Sequence, residues 1–110
     1  MASITPKKLG RGAIGTGAGT LLYTVPAATS TYVKDIDVCN TTAGALTLTL
    51  YLVPSGGAVD TSNMFVPTIS IAANSMWQWT GTQILVTGDF IQGIGSGAGL
   101  TCNISGGEQV

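Results

Sequence analysis

Ala43-Gly44-Ala45-Leu46-Thr47-Leu48-Thr49-Leu50-Tyr51-Leu52-Val53-Pro54-Ser55-Gly56-Gly57 decides the fold class. Side chains alternate across a β-strand, so Leu46, Leu48, Leu50 and Leu52 share one face while Thr47, Thr49 and Tyr51 share the other. A helix would scatter the same leucines around its circumference. Pro54 has no N–H for a continuing ladder, and Ser55-Gly56-Gly57 turns the chain. The flanking segments read as further strands that cover the leucine face.

Upstream, Thr20–Val25 reads as a strand closed by Pro26, and Thr31–Asn40 as a second, with Ile36 and Val38 on one face and Asp35 and Asp37 on the other. Downstream come Met64–Ile71, Ser75–Thr80, Gln83–Val86, Phe90–Ile94 and Leu100–Ser105, with Pro67 marking an edge strand or a bulge. Turn signals recur every eight to twelve residues, the rhythm of an all-β sandwich or small barrel. The expectation is an all-β, roughly eight-stranded antiparallel β-sandwich, jelly-roll-like, over residues 20–110.

Residues 1–19 read differently. They hold Lys7, Lys8 and Arg11, three of the four basic residues, followed by a glycine series without usable period. Such a segment predicts an extended, flexible N-terminal arm outside the sandwich core. Ile4, Leu9 and Ile14 are spaced to fill pockets on a neighbouring subunit, and Lys7, Lys8 and Arg11 to meet acidic patches there.

Composition narrows the function. The chain has 110 residues, one domain's worth, with 45% hydrophobic but only 8% charged residues and a net charge of −1. Its exposed faces are therefore built from Thr, Ser, Asn, Gln and Gly. No basic footprint for nucleic acid or an anionic membrane is present. A surface this poor in charge suits a subunit packed against partners, and a homotrimer about a symmetry axis is the expectation. The start of the chain lacks a basic and apolar leader, so synthesis in a cytoplasm is expected. Cys39 and Cys102 then read as buried free thiols, with a disulfide open if their strands are neighbours. The sequons Asn40-Thr41-Thr42 and Asn103-Ile104-Ser105 carry no meaning without a secretory route.

The chemistry-bearing patterns are weak. Gly10-Arg11-Gly12-Ala13-Ile14-Gly15 matches the dinucleotide spacing, and Asp35 lies twenty residues beyond. That motif works only between a strand and a helix N-terminus, whereas Thr5-Pro6-Lys7-Lys8 precedes it here and more glycine follows. With no histidine, the commonest general base and metal ligand is missing. Asp35 and Asp37 read as a solvated pair, and Asp60-Thr61-Ser62-Asn63 as an Asx-type turn rather than a calcium loop. No catalytic, cofactor or metal residues are expected. Trp77 and Trp79 share a face, which suits a core or subunit interface and, as the alternative, a stacking platform for sugar rings.

Several segments taken in order resemble a known group: Leu22-Tyr23-Thr24-Val25-Pro26-Ala27, Val33-Lys34-Asp35-Ile36, Cys39-Asn40-Thr41-Thr42-Ala43-Gly44, Leu48-Thr49-Leu50-Tyr51-Leu52-Val53-Pro54, Ile69-Ser70-Ile71-Ala72-Ala73-Asn74 and Leu85-Val86-Thr87-Gly88-Asp89-Phe90. Over about residues 20–106 the chain resembles the small β-sandwich proteins among tailed-bacteriophage structural genes. The resemblance implies a non-enzymatic virion component: a capsid decoration or cement protein bound to the major capsid protein, or a fibre-type subunit of head or tail. No catalytic residues come with it. A carbohydrate-binding module using Trp77 and Trp79 is the reading from another class.

Overall fold

The computed structural model describes residues 4–16 and 20–110. Eight strands run β1 (Ile4–Ile14), β2 (Thr20–Thr24), β3 (Ser30–Asn40), β4 (Leu46–Val53), β5 (Met64–Ile71), β6 (Met76–Val86), β7 (Phe90–Gly95) and β8 (Leu100–Gln109), with a 3-10 turn at Thr61–Asn63. They form two antiparallel sheets of four strands, ordered β1-β8-β3-β6 and β2-β7-β4-β5. Strands β4 and β5, β3 and β6, β2 and β7, and β1 and β8 pair in nested succession, as though one long hairpin had been rolled up from its tip. That nesting is the jelly roll, and it buries one face of each sheet against the other.

The leucine strand sits at the centre of the second sheet. Leu48 and Leu50 are fully buried, and Leu46 and Leu52 pack half-buried at its two ends. Facing them from the first sheet are Val33, Ile36, Val38, Leu100, Cys102 and Ile104, all at 0% exposure. Pro67 lies on the edge strand β5, beside an irregularity in the β4–β5 pairing. Asp60 accepts a hydrogen bond from the Ser62 amide while Asn63 accepts one from the Asp60 amide, the Asx-type turn read from the sequence.

Three expectations about the strands change. First, residues 4–14 are not an arm apart from the core. They form β1, an edge strand of the first sheet, paired with β8 from Ile4↔Gln109 to Ile14↔Leu100. Leu9 and Ile14 are buried in the protein's own core. A bulge between Lys8 and Gly10 lets Leu9 reach inward although it breaks the two-residue period. That irregularity, together with the glycines, hides the strand from a search by periodicity. Residues 1–3 and 17–19 of the expected arm lie outside the described residues.

Second, Ser75–Thr80 and Gln83–Val86 belong to one strand, β6, which continues through Gly81 with a register shift against β3 at Gly81–Thr82. Gly81 does not turn the chain; it makes room for the Trp79 ring, which a Cβ there would meet at 2.8 Å. Third, β8 runs on through Gly106 and Gly107 to Gln109. A Cβ at Gly106 would run into the Tyr32 carbonyl oxygen of β3, and one at Gly107 into Ile4 of β1, so these glycines permit close pairing with the neighbouring strands rather than end β8.

The cysteines are both free. Cys102 is buried, but Cys39 is exposed, against expectation. They lie on neighbouring strands, where Cys102 pairs with Val38 and Cys39 with Thr101. Successive residues point to opposite faces, so one thiol points into the core and the other out, and no disulfide joins them.

Candidate assembly surface

The outer face of the first sheet collects most residues singled out in the sequence. The register aligns Ile4, Gln109, Ser30 and Val86 in one row and Pro6, Gly107, Tyr32 and Ile84 in the next. Ile4, Ile84 and Val86 are 53%, 61% and 55% exposed, an unusual density of large apolar side chains on one end of a sheet. Glycine in the middle of these rows leaves a cavity of about 220 Å³ lined by Ile4, Pro6, Tyr32, Lys34, Gly106 and Gly107. Beside it, a groove of about 410 Å³ runs past Ser30, Val86, Thr87, Gln109 and Val110. The Tyr32 hydroxyl donates to Gln109 Oε1 at 2.9 Å, which fixes the ring across the rows.

Polar residues occupy the middle rows. Lys8 stands opposite Ser105, donating to its hydroxyl at 3.2 Å, and Ser105 stands opposite Asp35. Arg11, Asn103, Asp37 and Gln78 make the next row. Asp35 Oδ1 and Asp37 Oδ1 are shut off from solvent and lack a hydrogen-bond partner. Desolvation first, then the negative charge of Asp35, pushes the Asp37 carboxyl above the usual carboxylate range, against the opposing pull of Lys8. Among the described residues, no three metal-ligating side chains come together here or elsewhere.

The expected arm residues therefore part company. Leu9 and Ile14 fill the protein's own core, and Lys7 donates to Glu108 at 3.1 Å in an ion pair at the sandwich end. Ile4, Lys8 and Arg11 remain exposed on the outer face. Trp77 and Trp79 face inward on β6 and pack half-buried against the core. Trp79 meets Phe65 of β5 edge-on, with centroids 5.0 Å apart and planes at 87°, and so closes the flank between the two sheets. Rings held in this way do not offer a flat, open pair of faces to a sugar.

Two polar clusters were not legible in the sequence. At one end, the Tyr23 hydroxyl donates to Glu108 Oε2 at 2.5 Å and lies 2.8 Å from Thr31 Oγ1, tying β2 of one sheet to β3 and β8 of the other. Burial first, then the Glu108 hydrogen bond, pushes the Tyr23 phenol up to about 12. The same hydrogen bond, helped by Lys7, holds Glu108 below the usual carboxylate range. At the other end, the fully buried Asn40 amide donates to the carbonyls of Gly44, Ile71 and Ala72, while its oxygen accepts from the amide and hydroxyl of Thr42. Both clusters join segments far apart in the chain, which no local pattern announces.

No family model, curated protein or solved structure matches the chain. Its function is therefore argued from this surface and fold.

Proposed function

We propose that the protein is a non-enzymatic structural subunit of a bacteriophage-type virion. A capsid decoration or cement protein on the major capsid protein is the first placement, and a fibre-type subunit of head or tail the alternative. The observation that carries this reading is how the surface is built. Large apolar side chains stand exposed along one end of the outer sheet face, in a chain with only 8% charged residues. Such a surface is stabilised by being covered, and its shallow cavity and groove suit contact with another protein. The jelly roll is a fold on which capsid proteins are built, which supports the reading by analogy of fold alone. The resemblance of residues 20–106 to small phage sandwich proteins points the same way.

Quantitative mass spectrometry of gradient-purified particles from cells producing this protein tests the proposal. The expected result is co-banding with the particles at a fixed ratio to the major capsid protein, retained through a second gradient. Recovery only in the particle-free fraction would contradict it. So would quenching of Trp77 and Trp79 fluorescence by oligosaccharides, which would favour the carbohydrate-binding reading.

A further inference from the structure

A sandwich of two open sheets has four edge strands, each a row of backbone donors and acceptors open to strand addition unless something blocks it. Here the edges are β1 and β6 in one sheet and β2 and β5 in the other. β2 offers only five residues, and β5 is interrupted by Pro67. β1 carries Pro6, Lys7, Lys8 and Arg11 and a bulge after Lys8. Shortness, proline, lysine and bulges are the usual guards of an edge. β6 is guarded least: its one irregularity is in the pairing with β3, where Gly81 and Thr82 stand against Lys34 alone. It runs eleven residues without proline or formal charge, and Met76, Ile84 and Val86 on it are exposed. Eleven residues is about twice the common strand length.

The sequence of β6 also complements itself. Met76-Trp77-Gln78-Trp79-Thr80-Gly81-Thr82-Gln83-Ile84-Leu85-Val86 is nearly palindromic in character about Gly81. Laid antiparallel on a copy of itself with Gly81 opposite Gly81, it sets Thr80 against Thr82, Trp79 against Gln83, Gln78 against Ile84, Trp77 against Leu85 and Met76 against Val86. Even positions meet even and odd meet odd. The exposed side chains therefore share the outer face, and the inward-facing Trp77, Trp79, Gln83 and Leu85 share the inner one. Apolar ends meet apolar ends, and a threonine pair lies at the centre, where Lys34 of β3 donates to Thr82 Oγ1 at 2.6 Å; no charged side chain of β6 itself confronts another.

We propose that β6 pairs with β6 of a second copy across a two-fold axis at Gly81, joining two four-stranded sheets into one of eight. The contact is isologous and closes on itself, so it yields a dimer where composition alone led to the expectation of a trimer. It deepens the assembly reading above, on which it rests, by naming the edge and the partner.

Sedimentation equilibrium of the full chain between about 1 and about 100 µM, a span in which contacts of micromolar dissociation constant register, tests it. The expected species has twice the 11.1 kDa of the chain. Met76→Lys with Val86→Lys sets like charges opposite each other at both ends of the pairing; Met76→Lys with Val86→Glu sets opposite ones. Both positions are exposed, so thermal unfolding of the monomer should not distinguish the variants. The first pair should raise the dissociation constant at least about tenfold, and the second should restore it to within about threefold of the natural sequence. A chain that stays monomeric, a trimer, or two variants equally weakened would overturn the pairing. A monomer that still bands with particles overturns the pairing alone. A dimer that obeys the charge pattern supports it even where particles lack the protein, a result that would sink only the virion reading.

Discussion

Leu50 and Thr49 are adjacent and respond differently to truncation. Leu50 lies wholly in the core, and Leu50→Ala should destabilise by about 2–5 kcal/mol, the range for a buried leucine. Thr49 is 7% exposed, and its hydroxyl shares a 2.8 Å hydrogen bond with exposed Thr68. Removing that hydroxyl lets Thr68 turn to water, so Thr49→Ala should cost about 1 kcal/mol. Equal losses in denaturant titrations would mean that the strand faces the other way. Tyr23→Phe removes a hydrogen bond to a charged group and should cost about 1.5–3 kcal/mol near neutral pH. Its pH dependence has a definite sign. The folded-state pKa of Glu108 is depressed, so its contribution is present above the unfolded value of about 4.3 and fades as pH falls through the folded value. That of Tyr23 is raised to about 12, so its contribution is complete below the unfolded value near 10 and fades as pH climbs from there towards 12. The phenylalanine variant should therefore lose stability less steeply than the natural protein at both extremes. Asp37 works the other way: its raised pKa means that the ionised form is disfavoured in the fold, so Asp37→Asn should stabilise at pH 7, and the gain should vanish once the pH drops below about 4. A pH-independent change would point to packing instead.

At the scale of elements, β1 is the strand whose removal separates a core strand from a free arm. Deleting residues 2–15 withdraws Leu9 and Ile14 from the core and bares the edge of β8. Burial of each such side chain contributes about 1.5–3 kcal/mol. The thermal midpoint should therefore fall by about 10 °C or more, whereas a free arm would leave it unchanged. Calorimetry of the truncated chain decides between the two. What was legible in the sequence follows from locality. The leucines of β4, the alternation of β3 and the proline on β5 are signals written within one strand, and they placed those strands correctly. β1 has a bulge and five exposed residues before its first buried one, so its partner rather than its own pattern makes it a strand. β6 reads as two strands parted at Gly81–Thr82, where its register against β3 shifts and where nothing local reveals the Trp79 ring lying across Gly81. The exposed Ile84 and Val86 became informative only once neighbouring rows put Ile4 and Tyr32 beside them. The Asn40 and Tyr23 clusters were illegible for the same reason, since each is assembled from segments that only the folded topology brings together.

For the molecule as a whole, the nested pairing of β1 with β8 through β4 with β5 leaves two flanks. One is blunted by lysines, proline and a five-residue strand, and on the other Pro67 interrupts β5 but leaves β6 open. That asymmetry is the physical basis for the proposed pairing through β6, and backbone amides report on it directly. Hydrogen exchange of the full-length protein, followed strand by strand at about 1 µM and about 100 µM, compares all four edges in one measurement. With β6 paired between copies, amides of Met76–Val86 should become markedly slower to exchange at the higher concentration, while those of β1, β2 and β5 keep their rates. Concentration-independent exchange along β6, or protection that grows on β1 instead, would contradict the pairing.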